Sequence, residues 1–134
     1  MRRIVIVSLA ALLAGACDDR TRIFDPELQP SADLVGDACT GVTGGMYTDC
    51  AALVALYDAT NGPGWTANTD WLTPGQHCSW HGITCSADAL PRVTEVELVW
   101  NNLIGPLPGQ ISDLDALEVL DLGGNQLTGP IPDL

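Results

Sequence analysis

Apolar residues recur along this chain with different spacings, and each spacing predicts a different element. Ile4 to Leu13 is an apolar run of ten residues broken only by Ser8, shorter than the roughly 20 needed to span a bilayer. Between Asp49 and Thr60 the bulky apolar residues stand at Leu53, Val54, Leu56 and Tyr57, the spacing of one helical face. Thr48 or Asp49 can cap the start of that helix, and Asn61-Gly62 with Pro63 beyond supplies a stop. Such a short helix needs a surface to lie on. The loop from Gly64 to Thr73 is polar but carries Trp65 and Trp71, which predicts that it folds back over apolar surface.

Further along, Val96 and Leu98 alternate with outward positions, as do Leu120 and Leu122, the period of a strand with one buried face. These two strands belong to an internal repeat. The segment from Val93 to Pro108 aligns with that from Leu117 to Pro132 at a shift of 24, so that Asn101 meets Asn125, Leu103 meets Leu127 and Gly105-Pro106 meets Gly129-Pro130. Gly-Pro-x-Pro forbids a regular helix on the return path, leaving an extended or 3-10 segment with Leu107, Ile111 and Leu114 facing inward. Asn101 and Asn125 stand where the chain turns inward, and an amide there can satisfy backbone groups that the turn leaves unpaired. Strands of successive coils would pair in parallel.

The N-terminal run reads as an export signal. Arg2-Arg3 precede it and the small residues Ala14-Gly15-Ala16 follow, leading to Cys17, the charged, apolar, small-residue order of a cleaved leader. Leu13-Ala14-Gly15-Ala16-Cys17 resembles a bacterial lipoprotein box, in which the cysteine is acylated and becomes the first mature residue; ordinary cleavage after Ala16 is the alternative. Residues 17–38 are acidic, contain Pro26 and Pro30 and offer few bulky apolar side chains, so they are expected to form a tether. A flexible coil of that length spans roughly 25 Å. The expected division is a leader at 1–16, the tether at 17–38, a cap at 39–92 and repeats at 93–134.

Charge narrows the partners. The chain has 17 acidic residues against five arginines and no lysine. Nucleic acid and anionic lipid surfaces require a positive face, which this composition does not offer. The acids are scattered, with no EF-hand spacing. There is no phosphate loop, no Gly-x-Ser-x-Gly elbow and no His-Glu-x-x-His, so no enzyme activity, cofactor or metal is expected.

The most crowded chemistry lies in His77 and the following Cys78-Ser-Trp-His-Gly-Ile-Thr-Cys85. His77, Cys78, His81 and Cys85 could be drawn as a zinc site or as a cysteine nucleophile with a histidine base. Structural zinc sites usually combine two separated pairs, whereas these four residues lie in one short run. A disulfide is the third reading. Setting Cys17 aside leaves Cys39, Cys50, Cys78 and Cys85, an even number in an exported chain. Four cysteines permit three connectivities; pairing neighbours, Cys39 with Cys50 and Cys78 with Cys85, closes two short loops without threading, each worth roughly 2–3 kcal/mol in the chain-entropy model.

The repeat together with Cys78, Trp80, Gly82, Ile83 and Cys85, spaced as Cys-x-Trp-x-Gly-Ile-x-Cys, resembles the leucine-rich repeat family. The resemblance is to its 24-residue class, found in plant receptor-kinase ectodomains and polygalacturonase-inhibiting proteins, and covers about Asp49 to Leu134. It implies an α/β fold, the start of a leucine-rich repeat solenoid with short parallel strands, an irregular or 3-10 convex side and a disulfide-closed helical cap. It also implies binding of an extracellular protein, peptide or glycan on the concave face. The outward positions there are Glu95, Glu97, Val99 and Trp100 in the first coil and Val119, Asp121, Gly123 and Gly124 in the second. Trp100 departs from the small polar residue usual in the family, and either it contacts a ligand or it folds against the cap or an adjacent coil. In the resemblance the two histidines occupy positions that the cap motif leaves free.

With one full repeat and most of a second, the chain is expected to be the N-terminal piece of a longer or disrupted reading frame. A surface-tethered recognition module is the main functional reading, and the ectodomain start of a receptor-like kinase the alternative. Mass measurement without reduction distinguishes the three readings of the cysteine stretch: a disulfide lowers the mass by two hydrogens and retains no metal, whereas free thiols react with iodoacetamide.

Overall fold

A computed structural model describes residues 32–134. The apolar leader, Cys17 and most of the expected tether lie outside the described residues. The last stretch of that expected tether is helical: α1 runs Ala32–Ala38, ahead of the boundary expected at Cys39. Val35 and Ala38 are buried, and Cys39 is bonded to Cys50 in the next helix. A helix this short has little stability of its own; the neighbouring helix and the disulfide supply its support.

The second helix, α2, spans Gly44–Ala59, with Thr43 as its N-cap residue. It begins before the expected Thr48 or Asp49 cap. Thr48 instead donates its hydroxyl back to the Gly44 carbonyl at 3.4 Å, and Asp49 sits inside the helix, fully buried. Counting bulky residues alone missed the first turn, because α2 also buries Cys50, Ala52 and Ala55 alongside Leu53, Val54 and Leu56. Its end falls where expected: Thr60 closes the last turn and Asn61 turns into the left-handed region at φ +57°.

Five short strands follow: β1 (Ile83–Cys85), β2 (Val93–Glu97), β3 (Ile104–Pro106), β4 (Val119–Asp121) and β5 (Gln126–Thr128). They form two sheets. In the first, of order β1-β2-β4, β1 pairs antiparallel with β2 and β2 pairs parallel with β4. Val96 faces Leu120, so the register on this side equals the sequence repeat. In the second sheet, β3 and β5 pair parallel with Ile104 opposite Gln126. That register is two residues short of the repeat, a slip that preserves which side chains face inward. After β3 the chain forms a 3-10 helix, Gly109–Asp113, the alternative to an α-helix that Gly-Pro-x-Pro left open.

These elements are the start of a leucine-rich repeat solenoid closed at one end by a helical cap. Val96, Leu98, Leu103, Ile111, Leu114, Leu120, Leu122 and Leu127 fill its interior. The helix α2 covers the open side of the first coil, packing chiefly on the 3-10 helix Gly109–Asp113.

Asparagine joins the layers. Asn125 accepts the backbone N–H groups of Asn101 and Leu103 at 2.9 and 3.0 Å and donates to the carbonyls of Leu98 and Leu122 at 2.7 and 2.8 Å. In the preceding layer Asn101 makes the equivalent bonds, but against the tryptophan loop. It accepts the Ala67 N–H at 2.6 Å and donates to the Ala67 carbonyl at 2.9 Å. The loop thus occupies the place of a preceding coil.

Asp49 fastens the cap to the first strand. Its carboxylate accepts Nε and Nη2 of Arg92 at 2.8 and 2.7 Å and the Val93 N–H at 2.9 Å. Removing one partner of a buried pair leaves an uncompensated charge, which costs about 3–5 kcal/mol. Arg92→Met should therefore lower the denaturation midpoint sharply in urea unfolding, and Asp49→Leu combined with Arg92→Met should recover much of the loss; an Arg92→Met protein as stable as the parent would contradict this role.

Candidate functional site

The stretch that began as candidate chemistry is a closed turn. Cys78 and Cys85 are bonded to each other, with Cα atoms 5.5 Å apart. His77, Cys78 and Cys85 place their ligand-type atoms within 4.8 Å of one another, but both sulfurs are committed to the disulfide and neither is a thiolate. His81 stands outside this group; it is exposed, and its backbone bonds to Thr69 and Trp71. Gly82 takes φ +80°, and a side chain there would run into the Glu97 carbonyl. The same close approach lets the Gly82 carbonyl accept the Glu97 N–H at 2.8 Å. Glycine is needed both for the angle and for the space.

Around this turn the aromatic residues form one connected layer. Tyr57, Trp65, Trp71 and Trp80 meet with ring centroids 4.7–5.7 Å apart. Each indole N–H finds a carbonyl: Trp65 that of Thr60, Trp71 that of His81 and Trp80 that of Thr73. Tryptophan suits this position because it buries a large apolar surface while its one donor remains paired. Ile83 continues the layer into the sheet, opposite Val96.

His77 is the exception in this layer. It is only 2% exposed, and neither ring nitrogen has a hydrogen-bond partner among the described residues. Burial lowers its pKa from the ordinary 6.5, and the nearby charge of Asp49 offsets some of that effect. Sequence alone offered no means of separating this histidine from His81.

The outward strand positions form a separate face. Glu95 and Glu97 of β2 lie opposite Val119 and Asp121 of β4. Glu97 is exposed, whereas Glu95, Val119 and Asp121 are half-buried. Beyond the strand ends come Val99, 45% exposed, and Trp100, 79% exposed. Gly123 does not join them. It is buried, its N–H bonds to Asp121 Oδ1 at 3.1 Å, and its carbonyl accepts the Trp100 N–H at 2.8 Å. It departs from the outward alternation because the strand has already ended and the chain is turning.

Trp100 combines the two alternatives posed for it. Its backbone is left-handed at φ +50°, a conformation that is costly for a residue with a side chain. Gly124, at the matching repeat position, has φ +71°, and a methyl group there would collide with the Trp100 ring. The indole therefore rests on the adjacent coil over Gly124 while most of its surface remains open to solvent. Sequence reasoning also missed a shallow cleft of about 330 Å³ at the other end of the strands, lined by residues that include Asp88, Arg92, Thr94, Asp115 and Glu118. It is assembled from the turn before β2 and the turn before β4, and no local pattern announces it.

Comparison with known proteins agrees with this architecture. Residues 46–86 match the leucine rich repeat N-terminal domain and residues 116–134 match the Leucine Rich Repeat. The chain is 34% identical over 87 residues to the receptor protein kinase WSS1 of Oryza sativa subsp. japonica, a match covering 65% of this chain and 9% of that protein. It is 38% identical over 71 residues to a probable LRR receptor-like serine/threonine-protein kinase of Arabidopsis thaliana, covering 50% and 8%. An inactive leucine-rich repeat receptor-like serine/threonine-protein kinase of the same plant is 38% identical over 93 residues, covering 68% and 14%. The chain thus spans a small share, at most 14%, of the length of these relatives.

The buried His77 should make the cap sensitive to acid. Its folded pKa lies below the ordinary 6.5, so the unfolded chain binds the proton more readily and stability falls as pH drops below 6.5. The loss continues until pH passes the lowered folded value and then levels off. Urea midpoints at pH 7.5 and pH 5.5 should differ for the parent chain, and the difference should shrink in His77→Leu; an equal difference in both would exclude His77 as its source.

Proposed function

We propose that this protein is an extracytoplasmic recognition module whose leucine-rich coils bind an extracellular protein, peptide or glycan. The binding face comprises Glu95, Glu97, Val99, Trp100, Val119 and Asp121. The observation that carries the reading is the 79% exposure of Trp100 beside the exposed Val99 at the strand ends, since packing gives little reason for either to face solvent. Aromatic residues on an open face are the commonest anchors of protein interfaces. In this reading the module is non-catalytic: the four cysteines among the described residues are spent in disulfides, and its similarity to receptor kinases lies in the leucine-rich region.

Two disulfides are the chemistry of an oxidising compartment, in keeping with the export signal at residues 1–16. In this reading Cys17 is acylated and residues 18–31, preceding α1, link the folded domain to a bacterial membrane. Among the described residues no helix is long and apolar enough to cross a membrane. The similarity to receptor kinases supports a second reading, in which the chain is the opening segment of a receptor-like protein. The DNA downstream of Leu134 distinguishes the two, through further repeats followed by a stop codon or a membrane span followed by a kinase domain.

Titrating the protein with candidate extracellular peptides and oligosaccharides should shift amide signals of β2, β4 and residues 99–100. Trp100→Ala should weaken a bound ligand at least about tenfold, as expected of an aromatic anchor. Unchanged affinity in Trp100→Ala would remove that residue from the site. Palmitate labelling should mark the parent chain and not Cys17→Ser, and labelling of neither would refute the lipid anchor.

A further inference from the structure

We infer that the end of this face, built from Trp100, Glu97 and Asp121, receives a cationic side chain, arginine above all, from an extended basic peptide. The inference rests on the recognition reading of the same face and names the chemistry of its partner.

Three observations converge on a cation. Glu97 and Asp121 lie directly opposite each other on β2 and β4, on neighbouring strands about 4.8 Å apart. Like charges so placed repel, and Asp121 is further held in place by the Gly123 N–H. Second, among the described residues no lysine or free arginine is available to neutralise them. Arg92 is the only arginine between residues 32 and 134, there is no lysine, and that arginine is committed to Asp49.

Third, Trp100 offers a flat aromatic platform just past the ends of the strands that carry the carboxylates. Trp100 and Gly124 each follow one of them by three residues, and the indole lies over Gly124 with most of its surface open. A guanidinium can stack on an indole while its N–H fork meets a carboxylate. A sugar could also stack on the ring and donate its hydroxyls to Glu95, Glu97 and Asp121, but a neutral glycan would leave their charge uncompensated. Charge complementarity therefore favours a basic peptide over a neutral glycan.

The test selects a random peptide library displayed on phage against the whole chain with both disulfides intact. Enriched sequences should carry arginine or lysine. A selected peptide should bind at least about tenfold more weakly to Trp100→Ala, and likewise to Glu97→Gln combined with Asp121→Asn. Its affinity should fall with added salt and on replacing arginine by citrulline, the neutral isostere. Gly124→Ala, which displaces the indole while leaving Trp100 present, should weaken binding as well; urea midpoints confirm that each variant is folded. Enrichment of neutral or acidic peptides, or full retention of affinity with citrulline, would overturn the inference. Binding of neutral cello- or chito-oligosaccharides at Trp100 with no basic peptide selected would overturn it while leaving the recognition reading intact. If neither peptide nor sugar disturbs the β2 and β4 amides, both fail.

Discussion

The carboxylate of Asp49 is the point on which the structure depends. It is wholly buried in the middle of α2, where a charge is tolerated only if it is paired and fully hydrogen-bonded. Arg92 and the Val93 N–H meet that demand from the first residues of the solenoid. One side chain thus fixes where the cap helix lies and where the first repeat strand begins. Gly45 leaves the room that Arg92 requires, for any side chain there would press into the guanidinium. The Cys39–Cys50 disulfide reaches the same stretch of helix from the other direction, so α1, α2 and β2 are held at adjacent residues.

This fastening matters because a repeat coil is incomplete by construction. Its apolar flank and its turn amides both require a neighbour. At the N-terminal side the cap answers each need with a different piece of chain: α2 covers the flank, β1 supplies the strand, and the loop at Ala67 supplies the backbone groups that Asn101 would otherwise find in another coil. The tryptophan layer fills the space between these pieces. The Cys78–Cys85 turn belongs to the same task, since it delivers Trp80 to the layer and Ile83 to the sheet within a few residues.

The outward face follows from the same frame but is not needed by it. Glu97 and Asp121 meet because the coils stack in the register of the repeat, and among the described residues no lysine or free arginine offsets the charge they concentrate. Trp100 sits in a backbone conformation that its counterpart Gly124 adopts without a side chain. A bulky residue at such a position carries a local cost, and with 79% of its surface exposed its contact over Gly124 returns little in packing. Costs of this kind collect where a surface is shaped for something outside the chain.

Much of the fold was legible in the sequence because each coil is a local, repeated pattern. The alternation at Val96 and Leu98, the turn at Asn101 and the Gly-Pro-x-Pro return side each express a constraint that holds within a few residues, and the shift of 24 sets the register of β2 on β4. The cap motif likewise marked Cys78, Trp80 and Gly82. Residues whose roles depend on distant partners were not legible. Asp49 read as a helix cap, His77 and His81 were indistinguishable, and Ala32–Ala38 read as tether, because burial of each is decided by chain far away in sequence. The sequence by itself determined the periodicity and therefore the architecture; only the tertiary structure decided which polar groups would be enclosed, since enclosure is a property of the surfaces that meet and not of the residue that they cover.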